Sequence, residues 1–179
     1  MEMSNGFKGQ EEGIIDLLAA TFAASEGAEE GALIRDLTRK LLETTADADV
    51  HVFTAREKRS LVGAIIFSRL TYEEDDRIVF VLGPVGVATD RQRRGIGQRL
   101  LTHGLASLRK SGVDVAVTYG DPNYYSKVGF RPITEGFARA PFKLKHPKGW
   151  LGQSLTDREF KPLAGPSRCV DAFHRPDYW

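Results

Sequence analysis

The chain has 179 residues, a length that suits one domain with a hydrophobic core. Apolar residues make up 41% and charged residues 27%, and the net charge is +1, so no global field points to nucleic acid or an anionic membrane. No apolar run approaches a membrane span, Met1–Glu12 holds no apolar signal segment, and Cys169 is the only cysteine, so a cytoplasmic protein without an internal disulfide is expected.

Apolar residues at Ile14, Ile15, Leu17, Leu18 and Phe22 predict a helix over 11–24, broken at Gly27. A second helix is predicted over 29–42, with Ala32, Leu33, Leu37, Leu41 and Leu42 on one stripe. The period then changes. Segments 50–55 and 61–70 are β-rich and flank the charged turn 56–60, which reads as a hairpin. After the acidic turn 73–76, residues 77–87 return as a third strand, completing an antiparallel meander. Gly83 and Pro84 interrupt that strand, where proline removes a ladder donor, so the strand is expected to bulge or part from its neighbour.

A helix from Gly95 to Lys110 follows, apolar at Ile96, Leu100, Leu101, Leu105 and Leu108 and ended by Gly112. A buried strand over 113–118 then closes a parallel crossover. One helical turn is expected over 122–127, and late strands over 138–144 and 154–163. The tail 165–179 is expected to be irregular and to pack through Phe173, Tyr178 and Trp179.

The chemistry lies in Gln92-Arg93-Arg94-Gly95-Ile96-Gly97, between a strand and a helix. Backbone amides converging at a helix N-terminus attract phosphate, and Gly95 and Gly97 let the backbone approach it closely. Arg91, Arg93 and Arg94 add positive charge. A dinucleotide fingerprint is excluded because Leu100 stands where a third small residue is required, and no Gly-Lys-Ser/Thr of a P-loop is present. The four histidines (51, 103, 146 and 174) show no ligand spacing with one another or with Cys169, so no metal site is expected.

Taken with Leu82-Gly83-Pro84-Val85-Gly86-Val87, Gly120-Asp121-Pro122-Asn123-Tyr124-Tyr125 and Gly129-Phe130, this loop resembles the GNAT superfamily of N-acetyltransferases. The resemblance is greatest to a bacterial subgroup with a Gly-Asp-Pro-x-Tyr-Tyr segment, and strongest over 48–133. It implies an α/β (α+β) fold with a mixed, mostly antiparallel sheet, a splayed strand and flanking helices, in one domain spanning 1–179. It further implies that Arg93, Arg94, Gly95, Ile96, Gly97 and Gln98 hold the pyrophosphate of acetyl-CoA, with Asn123 also at the cofactor. Val85, Gly86 and Val87 would pair with the pantetheine arm, and Tyr125 would act as the general acid, with Tyr124 as the alternative.

The implied reaction is direct transfer from acetyl-CoA, as co-substrate, to an amine whose identity the sequence leaves open. No general base is singled out: Glu73, Glu74, Asp75 and Asp76 lie in a turn, and Glu26, Glu29 and Glu30 lie between or on the first helices. Nothing in sequence activates Cys169 as a nucleophile. The rival readings are a non-catalytic acyl-CoA sensor and a nucleic-acid module built on Arg91–Arg94, the latter disfavoured by the neutral charge balance. No nucleic-acid or membrane partner is expected, and the protein is expected as a monomer or homodimer.

Overall fold

The computed structural model describes Met1–Trp179. The elements are β1 (Glu2–Asn5), α1 (Glu11–Glu26), α2 (Ala28–Thr44), β2 (Val50–Glu57), β3 (Ser60–Tyr72), β4 (Val79–Val87), α3 (Ile96–Lys110), β5 (Val115–Tyr119), α4 (Pro122–Tyr125), β6 (Arg131–Pro132), β7 (Trp150–Ser154) and β8 (Ser167–Cys169). Strand order is β1-β2-β3-β4-β5-β7-β6, with β8 on β3. The fold is thus a mixed, mostly antiparallel α/β sheet. By contacts the chain divides into two compact units, Met1–Phe67 with Gly83–Gly104, and Ser68–Leu82 with Leu105–Trp179.

In the first unit, α1 buries Ile14, Ile15, Leu18 and Ala19, and α2 buries Ile34, Leu37, Leu41 and Leu42. Ala32, predicted on the buried stripe, is exposed, and Thr38 is buried instead. The stripe is therefore rotated from the one expected, because Gly31 packs on Ala23 and carries Ile34 and Thr38 inward with it. Gly27 sits at φ 103° between the two helices, a left-handed conformation that costs glycine nothing. The β2–β3 hairpin turns on Lys58 and Arg59 at φ 46° and 71°. Such a primed turn matches the twist of its strands. β1 pairs with β2 from Glu2↔Arg56 to Asn5↔Phe53. Ser4 and Thr54 share a 2.9 Å hydroxyl contact, and His103 Nε2 lies 2.8 Å from Asn5 Oδ1.

In the second unit, β4 runs parallel to β5 from Val79↔Val115 to Leu82↔Thr118. At that end the Thr118 hydroxyl donates to the Leu82 carbonyl at 3.0 Å, and the Gly120 N–H goes to Gly149 O at 2.9 Å. Side-chain and loop partners therefore take over where the Gly83–Pro84 irregularity begins. That peptide bond is cis. Beyond the parallel pair the sheet turns antiparallel again, with β7 on β5 from Val115↔Ser154 to Tyr119↔Trp150, and β6 on β7.

The two late strands expected over 138–144 and 154–163 do not form. The Ala138 carbonyl accepts Trp150 Nε1–H at 2.8 Å, and the Arg139 carbonyl accepts the Tyr72 and Ser167 hydroxyls at 2.8 and 2.7 Å. Side chains thus satisfy that backbone where a ladder was expected. The late strand is β7, which begins at Trp150 and ends where the Ser154 hydroxyl donates to the Thr156 carbonyl at 3.3 Å and accepts the Thr156 N–H at 3.2 Å. The tail contributes β8, paired with β3 from Leu70↔Cys169 to Tyr72↔Ser167. It is anchored as expected by Phe173 and Trp179, whose rings pack together, Trp179 also meeting Trp150.

Candidate active site

The predicted anion loop lies in the first unit. Ile96, Leu100, Leu101, Leu105 and Leu108 are all buried, which fixes α3 and aims its N-terminus. The first intrahelical bond runs from Arg99 N–H to Gly95 O at 3.0 Å. The amides of Ile96, Gly97 and Gln98 therefore have no partner within the helix. Just before them, Arg93 at φ 62° and Gly95 at φ 75° are left-handed, which curls the chain into a concave row of N–H groups. A Cβ on Gly95 would meet nothing within 4 Å, so the loop opens onto free space. Arg93 and Arg94 are exposed and make no ion pair. Arg91 differs from expectation: it pairs with Asp90 at 2.6 Å and Glu57 at 3.4 Å, so its charge is already compensated.

The strand that leads into the loop is held from two sides. Ala88 N–H donates to Val62 O at 2.8 Å, and strand alternation then turns the Val87 N–H away from β3. The Gln92 side-chain amide donates to the Val87 carbonyl at 3.1 Å, and the Thr21 hydroxyl reaches the same oxygen at 3.4 Å. Gln92 is thus a clip that fastens the loop to the end of β4. Thr21 carried no signal in the sequence, standing 66 residues from its partner. At Gly86 a Cβ would lie 2.8 Å from Leu18 Cδ2, so glycine there is what lets α1 close on the strand.

Asn123 and Tyr125 belong to the second unit. Asp121 caps α4 by accepting the Asn123 N–H at 2.9 Å, which leaves the Asn123 side chain exposed. The Tyr125 ring stands edge-on to Tyr124 at 5.0 Å and to the buried Phe130 at 5.8 Å. Phe130 N–H also bonds Tyr125 O at 3.3 Å, so the Gly-Phe motif clamps the tyrosine. Burial pushes the Tyr125 phenol well above its ordinary value, with Tyr124 and Asp121 adding to the shift and Thr118 opposing it. Burial alone raises Tyr124. Among the carboxylates considered as bases, Asp75 is taken by Arg77 at 2.7 Å and by the Ala164 N–H at 3.3 Å. Burial also raises the Cys169 thiol to about 11, which keeps it protonated and unreactive.

A row of amides without helical partners, with two unpaired arginines beside it, suits a phosphate, and a protonated, half-buried phenol suits proton donation. Comparison with known proteins gives the family. An acetyltransferase (GNAT) domain model matches residues 5–133. The uncharacterized N-acetyltransferase YjhQ of Escherichia coli (strain K12) is 33% identical over 141 residues, which cover 76% of this chain and 77% of that protein. The crystal structure of the GNAT family N-acetyltransferase YhbS from Escherichia coli, in complex with CoA, superposes with a TM-score of 0.78 at 22% identity, covering 97% of this chain and 92% of that one. A GNAT family acetyltransferase from Brucella melitensis, solved with acetyl-CoA, gives 0.65 at 24% identity, with 96% and 98% covered. The chain belongs to the GNAT acetyltransferase family.

Proposed function

We propose that this protein transfers the acetyl group of acetyl-CoA directly to a primary amine of a small molecule or protein, as one of the bacterial acetyltransferases with a Gly-Asp-Pro-x-Tyr-Tyr segment. The observation that carries the reading is the curled amide row at Gly95–Gln98, opening α3 with Arg93 and Arg94 uncompensated. YhbS and the Brucella protein were solved with CoA and acetyl-CoA, and that chemistry fits this loop. Arg93, Arg94, Gly95, Ile96, Gly97 and Gln98 hold the pyrophosphate, Val85, Gly86 and Val87 offer backbone to the pantetheine arm, and Asn123 contributes its exposed amide. A cytoplasmic setting goes with this reading, since the lone cysteine suits a reducing compartment.

Acetyl-CoA supplies the acetyl group as a thioester: the amine nitrogen bonds the carbonyl carbon, the C–S bond breaks, and amide and free CoA thiol result. The Val87 N–H, turned away from β3, donates to the developing oxyanion. Tyr125 Oη gives its proton to the departing sulfur, and the phenol is restored by the proton that the attacking nitrogen loses. A phenol above pH 10 facing a thiol near ~8.5 makes full ionisation uphill by at least about 2 kcal/mol. Tyr125 therefore shares its proton as the bond breaks and does not release it beforehand.

The test is calorimetry with acetyl-CoA followed by a panel of benzylamine, cadaverine and an N-terminal alanyl peptide, reading free thiol. Binding that disappears in Gly95→Asp, with turnover on at least one amine, is the expected result. Unchanged binding in that variant removes the cradle. Binding without turnover on any amine makes the protein a sensor.

A further inference from the structure

Gly120 follows β5 with an ordinary φ, so its backbone makes no demand for glycine. The demand comes from the ring of Tyr125. A Cβ at Gly120 would lie 2.7 Å from Tyr125 Cε2, 3.5 Å from Cδ2 and 3.7 Å from Cζ. The phenol ring is therefore laid against a bare Cα. Gly120 is itself backed by a second glycine of ordinary φ. A Cβ at Gly149 would meet Gly120 O at 2.9 Å and Gly120 N at 3.4 Å, and the Gly120 N–H donates to Gly149 O at 2.9 Å. The turn carrying Gly149 is pinned in turn, because His146 N–H donates to the Tyr119 hydroxyl at 2.6 Å. With Phe130 and Tyr124 against the ring's other sides, the stack leaves Tyr125 no slack toward β5.

We propose that Gly120, backed by Gly149, is a positioning residue that sets where Tyr125 Oη stands for proton transfer. The inference rests on the reading of Tyr125 as the acid. Gly120 touches no reacting atom. It acts by the absence of a side chain, which fixes the depth of the ring. An alanine there requires the ring to retreat by at least about 0.7 Å to reach ordinary contact at 3.4 Å. Displacements near 1 Å cost on the order of 100-fold in well-oriented reactions.

The experiment compares wild type, Gly120→Ala, Tyr125→Phe and the double variant, using acetyl-CoA and whichever panel amine turns over fastest. Gly120→Ala is expected to lower kcat by about 10- to 100-fold while the KM and Kd for acetyl-CoA stay within about 2-fold. The double variant is expected to be no slower than Tyr125→Phe alone, because the seat has no function once the hydroxyl is gone. Gly149→Ala, which presses on the Gly120 backbone and not on the ring, carries the same comparison if Gly120→Ala does not fold. A kcat within 2-fold of wild type, or a double variant slowed by the full product of the two single effects, overturns the proposal. Tyr125→Phe at the wild-type rate would instead sink the acid assignment itself, and the two failures are read from different variants.

Discussion

The phenol of Tyr125 is raised chiefly by burial, with Tyr124 and Asp121 pushing the same way, so it stays protonated, and competent as a donor, beyond the point where a free tyrosine ionises near ~10. The alkaline side of the kcat profile is therefore expected to stay level to about pH 10, and no limb below that pH should vanish in Tyr125→Phe. A limb below pH 10 that does vanish would show that burial does not govern the ionisation of this phenol. At Gln92 the expectation concerns binding. Gln92→Ala removes the bond to the Val87 carbonyl, a neutral hydrogen bond of about 0.5–1.5 kcal/mol. CoA affinity by calorimetry should fall by roughly 2- to 10-fold. An unaltered affinity would show that the loop holds its shape without the clip. Residue types and spacing pointed to the glycines of the loop, and the family resemblance pointed to Tyr125 and Phe130. They did not show that Arg91 is neutralised, because Glu57 reaches it from the end of β2.

Two helices can lie this close only where one of them lacks a side chain, and Gly31 is that point between α1 and α2. A Cβ there would fall 2.6 Å from Ala23 Cβ and 3.0 Å from the Ala19 carbonyl oxygen. Alanine gains about 1 kcal/mol of helix propensity over glycine, whereas overpacking a close contact costs about 1–3 kcal/mol. Gly31→Ala is expected to lose about 1 kcal/mol net, read as a lower thermal midpoint. A raised midpoint would mean that the helices separate freely. Elements with an apolar period were legible: α1, α3 and the hairpin strands lie close to where their patterns put them. β1, β6 and β8 were not, being two to four residues long with no alternation to read. Their strand character comes from the neighbour that pairs with them. The false strand over 138–144 shows the converse, since its apolar residues are real but its carbonyls are claimed by Trp150, Tyr72 and Ser167.

Stability across pH is set by groups from several segments. Asp75 takes two bonds from the Arg77 guanidinium, at 3.0 and 2.7 Å, one from the Arg77 N–H at 3.1 Å and a fourth from the Ala164 N–H. Arg77 in turn donates to the carbonyls of Lys161 and Pro162 at 2.9 and 2.6 Å. The pair thereby fastens segment 161–164 to the turn before β4. That hydrogen bonding, Arg77 first, lowers Asp75 from 3.8 to about 2. A lowered carboxylate binds fewer protons in the folded chain than in the unfolded one, so its stabilisation is complete above pH ~4 and is lost as pH falls through about 2. Tyr72 and Tyr125 work in the opposite sense, both raised by burial. Their stabilisation is complete below about pH 10 and is lost as pH rises further, because the unfolded phenols ionise first. The urea midpoint is expected to be level from about pH 4 to 10 as far as these groups control it, and to fall on either side. Asp75→Asn should cost about 2 kcal/mol at neutral pH, the value of charge-assisted bonds lost around a partly buried arginine. It should also flatten the decline between pH 4 and 2. Tyr72→Phe should flatten the alkaline decline and leave the acid side alone. An acid limb identical in wild type and Asp75→Asn would show that Arg77 holds 161–164 through its carbonyl bonds alone, with the carboxylate adding nothing.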